Sequence, residues 1–281
     1  MNSRFRINFS TIALSFALPA LLFVCGFSTA PESHFHNETL GSKTFMATPE
    51  SVWSQTWIEI YKSEPELIAQ HQKEINKNIH YPKLISGSWY KHSIALTFDD
   101  GPHPDFTPRI LAILKKYNIK ATFFIVGAQA EKYPWLVSSE AFDGHVIGNH
   151  SFNHVNLTTI PTEKVYMEWR ANNKILKDIT GQEPRFSRPP GGDYNRAVIQ
   201  AAQDEGLITV LWTDNSGDYD NPDIKSLEQK IMIRAYNGGI ILMHDGEEQT
   251  IQLLPKLIED LKARGFAFET IDDMARERKL I

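Results

Sequence analysis

The sequence carries one cysteine, Cys25, so no intramolecular disulfide can hold the fold together. It also lacks a strong charge of either sign. Lys and Arg total 29 against 34 Asp and Glu, leaving a formal net charge of −5. A nucleic-acid binder would show a concentrated basic face, and a mildly acidic chain has no general attraction for anionic polymers. No internal repeat and no low-complexity tract occurs in the 281 residues, which excludes a solenoid or a disordered array. Long apolar runs are scarce too. The one at residues 12–27 is short for a spanning helix, which needs roughly 20 residues. It follows Arg4 and Arg6 and precedes the small residues Ser28, Thr29 and Ala30, the three-part pattern of an export signal. Pro31 disfavours cleavage directly after Ala30, so residues 1–30 read as either a signal peptide or a membrane anchor. The expected destination is the periplasm, the cell envelope or the medium, with a membrane tether if the segment is retained.

What is present is ordinary globular composition, 42% hydrophobic and 22% charged, enough for a sizeable core. Residues 31–90 are polar and irregular, with Pro31, Pro49, Pro65 and Pro82. They read as a spacer or packing arm with two short helices, near residues 52–61 and 66–76. From about residue 91 the character changes. Short apolar runs at residues 94–98, 121–126, 145–147, near Phe186, at 207–212, 239–243 and 266–271 alternate with helical periodicity. The helices are expected at residues 107–117, 133–139, 162–180, 196–205, 226–236 and 250–264. Alternation of this kind implies parallel strands covered by helices, and about seven strands suggest a distorted α/β barrel. The catalytic domain is assigned to residues 91–281. In such barrels chemistry sits where strands end and loops begin.

Five polar clusters fall at those strand ends. Thr97-Phe98-Asp99-Asp100-Gly101-Pro102 places two carboxylates where a strand closes; adjacent residues leaving a strand point apart, so one can bind a metal while the other faces water. Alone it would read as an Asp-Gly turn. His150 and His154 are four apart, a spacing that can place both on one face of a helical turn; an isolated pair would more often be surface histidines. One carboxylate and two imidazoles with an open position suit catalytic zinc and similar cations. Arg188-Pro189-Pro190-Gly191-Gly192 combines stiff backbone with close approach. The stretch from Trp212 to Tyr219 carries Asp214 and Asp218, and Leu242-Met243-His244 ends a buried run with a histidine placed for acid–base work.

In this order and spacing the five clusters resemble the motifs of the polysaccharide deacetylase family, carbohydrate esterase family 4, across residues 93–271. The resemblance implies a distorted barrel and metal-dependent hydrolysis of N-acetyl groups on an N-acetylglucosamine-containing polysaccharide. Asp100, His150 and His154 would bind the metal, with zinc the default and cobalt or nickel also compatible. Asp99 would be the general base, held by Arg188. His244, tuned by Asp218, would be the general acid. The Gly191 N–H would stabilise the oxyanion, while Tyr219, Leu242 and, more weakly, Ile271 would line an acetyl pocket. The sequence departs from the family pattern at Gly191, usually aromatic, at Tyr219, usually Trp, and at Asn215, often Asp. Peptidoglycan, chitin oligomers and poly-N-acetylglucosamine are all compatible polymers. Rival readings are a cyclic-amide hydrolase on the same barrel, an O-acetyl esterase on a carbohydrate, and a non-catalytic carbohydrate-binding protein.

Overall fold

The computed structural model describes residues 62–281. The leader expected over residues 1–30 and the helix expected at residues 52–61 lie outside the described residues. Nine strands form one sheet: β1 (Lys83–Leu84), β2 (Ser93–Asp99), β3 (Thr122–Ile125), β4 (Val146–Asn149), β5 (Phe186–Ser187), β6 (Ile208–Val210), β7 (Asp214–Asn215), β8 (Gly239–His244) and β9 (Ala267–Phe268). Every pairing is parallel, and the order is β1-β6-β5-β4-β3-β2-β8-β7. The free edge of β2 is shared. Thr97 and Phe98 pair with β3, while Ser93 and Ile94 pair with β9.

The barrel closes through the chain itself. β6 lies near one end of the strand order and β7 at the other, yet only residues 211–213 separate them. Leu211 N–H still bonds the Leu84 carbonyl at 2.9 Å, whereas Thr213 N–H bonds the Ile240 carbonyl at 3.0 Å. The segment therefore changes partners within three residues, which distorts the ring. β1 and β7 are too short to show periodicity, which explains why about seven strands were expected and nine occur.

Helices α1 (Glu64–Asn76), α2 (Thr107–Tyr117), α3 (Gly127–Lys132), α4 (Pro134–Phe142), α5 (Thr162–Thr180), α6 (Arg196–Asp204), α7 (Ile224–Arg234), α8 (Glu248–Ala263) and α9 (Ile271–Glu277) complete the described fold. Stops are legible in the backbone. Asn118 takes φ 54° after α2, and Gly181 takes φ 73° after α5, its N–H on the Lys177 carbonyl at 2.8 Å. α3 and α9 were not expected. The run at residues 266–271 was expected as a closing strand, but only Ala267–Phe268 is strand. Thr270 then caps α9 through a reciprocal bond with Asp273. Ile271, Met274 and Ala275 are buried, so α9 plugs the barrel at the strands' N-terminal end.

Strand alternation sets the inside and the outside. Ile94, Leu96, Phe98, Ile241 and Met243 pack outward under α2 and α8, while Ala95, Ile240 and Leu242 belong to a second cluster with Phe124, Trp212 and Ile271. On the inner face Thr97 and Asp99 lie in register with Leu242 and His244. The packing arm belongs to the same body: Leu67 and Leu84 are buried in the second cluster, and β1 pairs with β6.

Candidate active site

Because all strands are parallel, Asp99, Asn149, Ser187, Asn215 and His244 end them at one face. The polar clusters meet there.

Asp99 is fully buried and faces Arg188, whose Nη1 donates to its Oδ1 at 2.7 Å. Arg188 is itself buried. The same nitrogen donates to Thr97 Oγ1 at 2.9 Å, and its plane lies 4.2 Å from the Phe124 ring centroid. Burial pushes the guanidinium pKa down while Asp99 pulls it up; an arginine still keeps its charge. A buried ion pair of this kind contributes orientation more than stability. Thr97 is fixed in turn, its hydroxyl donating to the Ile241 carbonyl at 2.7 Å.

Asp100 points the other way. Its Oδ1 lies 2.9 Å from His154 Nε2 and 3.3 Å from His150 Nε2. His150 Nδ1 is 2.7 Å from the Arg188 carbonyl, which can only accept, so the proton sits on Nδ1 and Nε2 presents its lone pair. One donor atom from each of the three residues falls within 4.8 Å of the others, and all three residues are buried. Burial raises the Asp100 pKa, but the two histidines bring it well below the usual carboxylate range. A carboxylate oxygen and two imidazole nitrogens converging in this way fit a tetrahedral divalent cation with open positions.

The histidines do not share a helical face, as their spacing suggested. A loop folded by left-handed backbone brings them together, with Ser151 at φ 63° and His154 at φ 53°; Asp100, on the loop after β2, has φ 73°. Such conformations cost about 1–3 kcal/mol each and persist where surroundings hold them. Here α5 does so. Glu168 Oε2 accepts the N–H groups of Phe152 and Asn153 at 2.9 and 2.7 Å. Asn172 Nδ2 donates to the carbonyls of Ile125 and Ser151 and to Asn149 Oδ1. Sequence reasoning missed these supports. Their signal was polar residues at positions 168 and 172 on the buried stripe marked by Val165 and Trp169.

Asp218 and His244 form the third group. His244 Nδ1–H donates to Asp218 Oδ1 at 2.7 Å, and its backbone N–H reaches Oδ2 at 2.8 Å. Ser216 and Thr250 hydroxyls also donate to that carboxylate, the second over a very short contact. Burial pushes the His244 pKa down; the Asp218 charge, its hydrogen bond and the more distant Asp100 and Asp99 lift it to about 9. At neutral pH the imidazole is thus a cation able to give up a proton.

Of the pocket candidates, Tyr219 stands edge-on to His244, with ring centroids 5.1 Å apart, and its hydroxyl accepts from Asn215 Nδ2 at 3.0 Å. Asn215 therefore fixes the Tyr219 ring beside His244. Leu242 is buried on the inner face, two residues before His244. Gly191 sits in the turn Pro190–Gly192 at φ 63°, its carbonyl accepting Lys62 N–H at 3.2 Å. Beside it Gly192 is obligatory: φ is +71° and a Cβ would stand 2.5 Å from the Trp212 ring. Ile271 lies deeper, its N–H on Thr122 Oγ1 at 3.1 Å near the base of β3. Asp214 is not part of the group; its carboxylate lies 3.6 Å from Arg234.

A sequence model described as polysaccharide deacetylase matches residues 87–210. Among curated proteins, the chain is 37% identical over 188 residues to a peptidoglycan-N-acetylglucosamine deacetylase of Bacillus cereus, covering 65% of this chain and 88% of that one. Among solved structures, it is similar to the Bc1960 peptidoglycan N-acetylglucosamine deacetylase, with 34% identity, a TM-score of 0.68 and coverage of 72% and 95%. It is also similar to BA3943 of Bacillus anthracis, described as a CE4 family pseudoenzyme, with 28% identity, a TM-score of 0.68 and coverage of 72% and 71%. Likeness of fold is thus shared by active and inactive relatives, and the site residues have to decide.

Proposed function

The chain belongs to the polysaccharide deacetylase family, and from that premise we propose that it hydrolyses the N-acetyl groups of an N-acetylglucosamine-containing glycan, peptidoglycan first among them. One observation carries this reading. A buried carboxylate gripped by an arginine, an Asp-His-His donor set and a histidine paired with a second buried carboxylate share one end of one barrel.

A divalent cation held by Asp100, His150 and His154 would polarise the acetamide carbonyl and lower the pKa of bound water. Zinc suits this donor set by default. The rest is work for the chain's own groups. Asp99, held in place by Arg188, takes the proton of the attacking water at a carboxylate oxygen. The Gly191 N–H supports the oxyanion, a type of interaction worth roughly 3 kcal/mol per donor. His244 gives its Nε2 proton to the leaving nitrogen, because an amide nitrogen does not depart as an anion. Asp218 accepts the hydrogen bond of Nδ1–H and so orients and stabilises the imidazolium that makes this possible. Tyr219 and Leu242 enclose the acetyl methyl. Acetate and a free amino sugar result, without a covalent enzyme intermediate. Export, with residues 1–30 as signal or anchor, would bring these groups to an envelope glycan.

The test is acetate release from peptidoglycan, chitin oligomers and poly-N-acetylglucosamine by the chain and by Asp99→Asn. We expect a fall in kcat of about 10²–10⁴ in the variant. Equal rates in both proteins would remove Asp99 from the mechanism. Release from O-acetylated sugars alone would move the assignment to an esterase.

A further inference from the structure

We propose that the end of the barrel opposite the active site is a membrane-facing surface, seated on an anionic lipid bilayer so that the catalytic face points away from it.

Exposed apolar side chains carry the argument. Among the described residues eleven large ones are exposed, and six lie in the segments that enter β2, enter β8 or follow α9: Trp89 at 66%, Tyr90 at 78%, Ile233 at 84%, Tyr236 at 44%, Leu280 at 39% and Ile281 at 42%. Scattered exposed apolar residues need no explanation, but a concentration of them does. Hydrogen bonds tie these three segments together. Asn237 Nδ2 donates to the Trp89 carbonyl at 3.1 Å, Gly87 N–H to the Gly238 carbonyl at 2.8 Å, and Arg278 to the Gly87 carbonyl at 3.4 Å. The Trp89 and Tyr90 rings lie 3.8 Å apart and leave their outer faces open. All of these residues precede a strand's N-terminal end or follow the basal plug α9, so the patch is opposite Asp99 and His244.

The polar neighbours select the occupant. Arg264 donates to the Met232 and Ala235 carbonyls beside Tyr236, and Arg278 and Lys279 follow α9. These three cations make no ion pair among the described residues. Aromatic residues, branched aliphatics and unneutralised cations together are the composition of an interfacial surface facing anionic headgroups. A glycan platform would instead set its aromatic rings among amide and carboxylate hydrogen-bonding groups, and aliphatic side chains such as Ile233 and Leu280 offer a sugar ring no stacking face. No described helix is long and apolar enough to cross a membrane, so the proposed contact is one of surface seating. Where the apolar run at residues 12–27 is retained, it would give a second attachment, and the 34 residues between Phe27 and Lys62 allow up to roughly 110 Å of extended reach. Two weak attachments hold where one is marginal.

The experiment uses the full chain with vesicles of phosphatidylcholine and phosphatidylglycerol brominated on the acyl chains. Tryptophan quenching is compared in the parent, Trp89→Phe and Trp135→Phe, the last an exposed tryptophan outside the patch. We expect Trp89→Phe to lose a large share of the quenching, Trp135→Phe to lose none, and the Trp89 share to weaken in vesicles without phosphatidylglycerol. Quenching that Trp89→Phe leaves intact overturns the proposal, as does an emission change of Trp89 on adding soluble glycan in place of vesicles. Acetate release by Trp89→Phe in vesicle-free buffer, expected unchanged, separates this outcome from failure of the catalytic reading.

Discussion

A pKa of about 9 on a fully buried histidine needs a cause, and in His244 the main one is the Asp218 carboxylate, with Asp100 and Asp99 adding to it. The folded value exceeds the ordinary 6.5, so folding favours the protonated ring. That contribution is complete below about pH 6.5 and is lost as pH rises through about 9. Catalysis follows the same sign, since only the protonated ring can donate. Acetate release is therefore expected to fall on the alkaline side, with the limb set by His244. A cation on Asp100 would offset part of the lift, placing the limb of the loaded enzyme somewhat below 9. Asp218→Asn keeps the shape but removes the charge. Its alkaline limb should move toward the ordinary imidazole range, with a rate loss of roughly tenfold at pH 8 beyond any loss at pH 6. A pH–rate profile of kcat/KM measures this. An unmoved limb would mean that some other group titrates.

Among the elements, the sequence showed most clearly what is periodic. α2 and α5 fall where residues 107–117 and 162–180 predicted them, and the candidate residues Asp99, Asp100, His150 and His244 stand at strand ends as the alternation required. The two-residue strands β1 and β7 were illegible because a pair of residues has no period. The His150–His154 loop was misread because spacing alone does not distinguish a helical turn from a left-handed loop. The buried Glu168 and Asn172 that hold it lie on another element. α9 carried a legible start in Thr270 and Asp273, masked by the apolar run before it. The same helix offers a prediction. Ile271 is fully buried in the plug, so Ile271→Ala should cost about 2–5 kcal/mol through its cavity. In a domain of this size each kcal/mol lowers Tm by roughly 2–4 °C. Thermal unfolding should register the loss while KM stays near its parent value. A raised KM at unchanged Tm would place Ile271 in the acetyl pocket, as the family resemblance implied.

For the whole molecule, the cation links stability to activity. Asp100 leaves β2, while His150 and His154 follow β4, so one ion would fasten neighbouring parts of the barrel rim. A ligand that binds only the folded state stabilises it by about 2.7 kcal/mol at a hundredfold excess over Kd. For this domain that corresponds to a rise in Tm of roughly 5–10 °C. Chelation should therefore abolish acetate release and lower Tm together, and zinc, cobalt or nickel should restore both to degrees that rank the metals. His154→Ala should lose the metal-dependent share of Tm, whereas Asp99→Asn should retain it and still be inactive. The two variants thus separate holding the ion from using it. Full acetate release after exhaustive chelation would dissociate the donor set from catalysis. A Tm that ignores metal while activity depends on it would mean that the rim is already rigid, held by Glu168 and Asn172, and that the ion acts on the substrate alone.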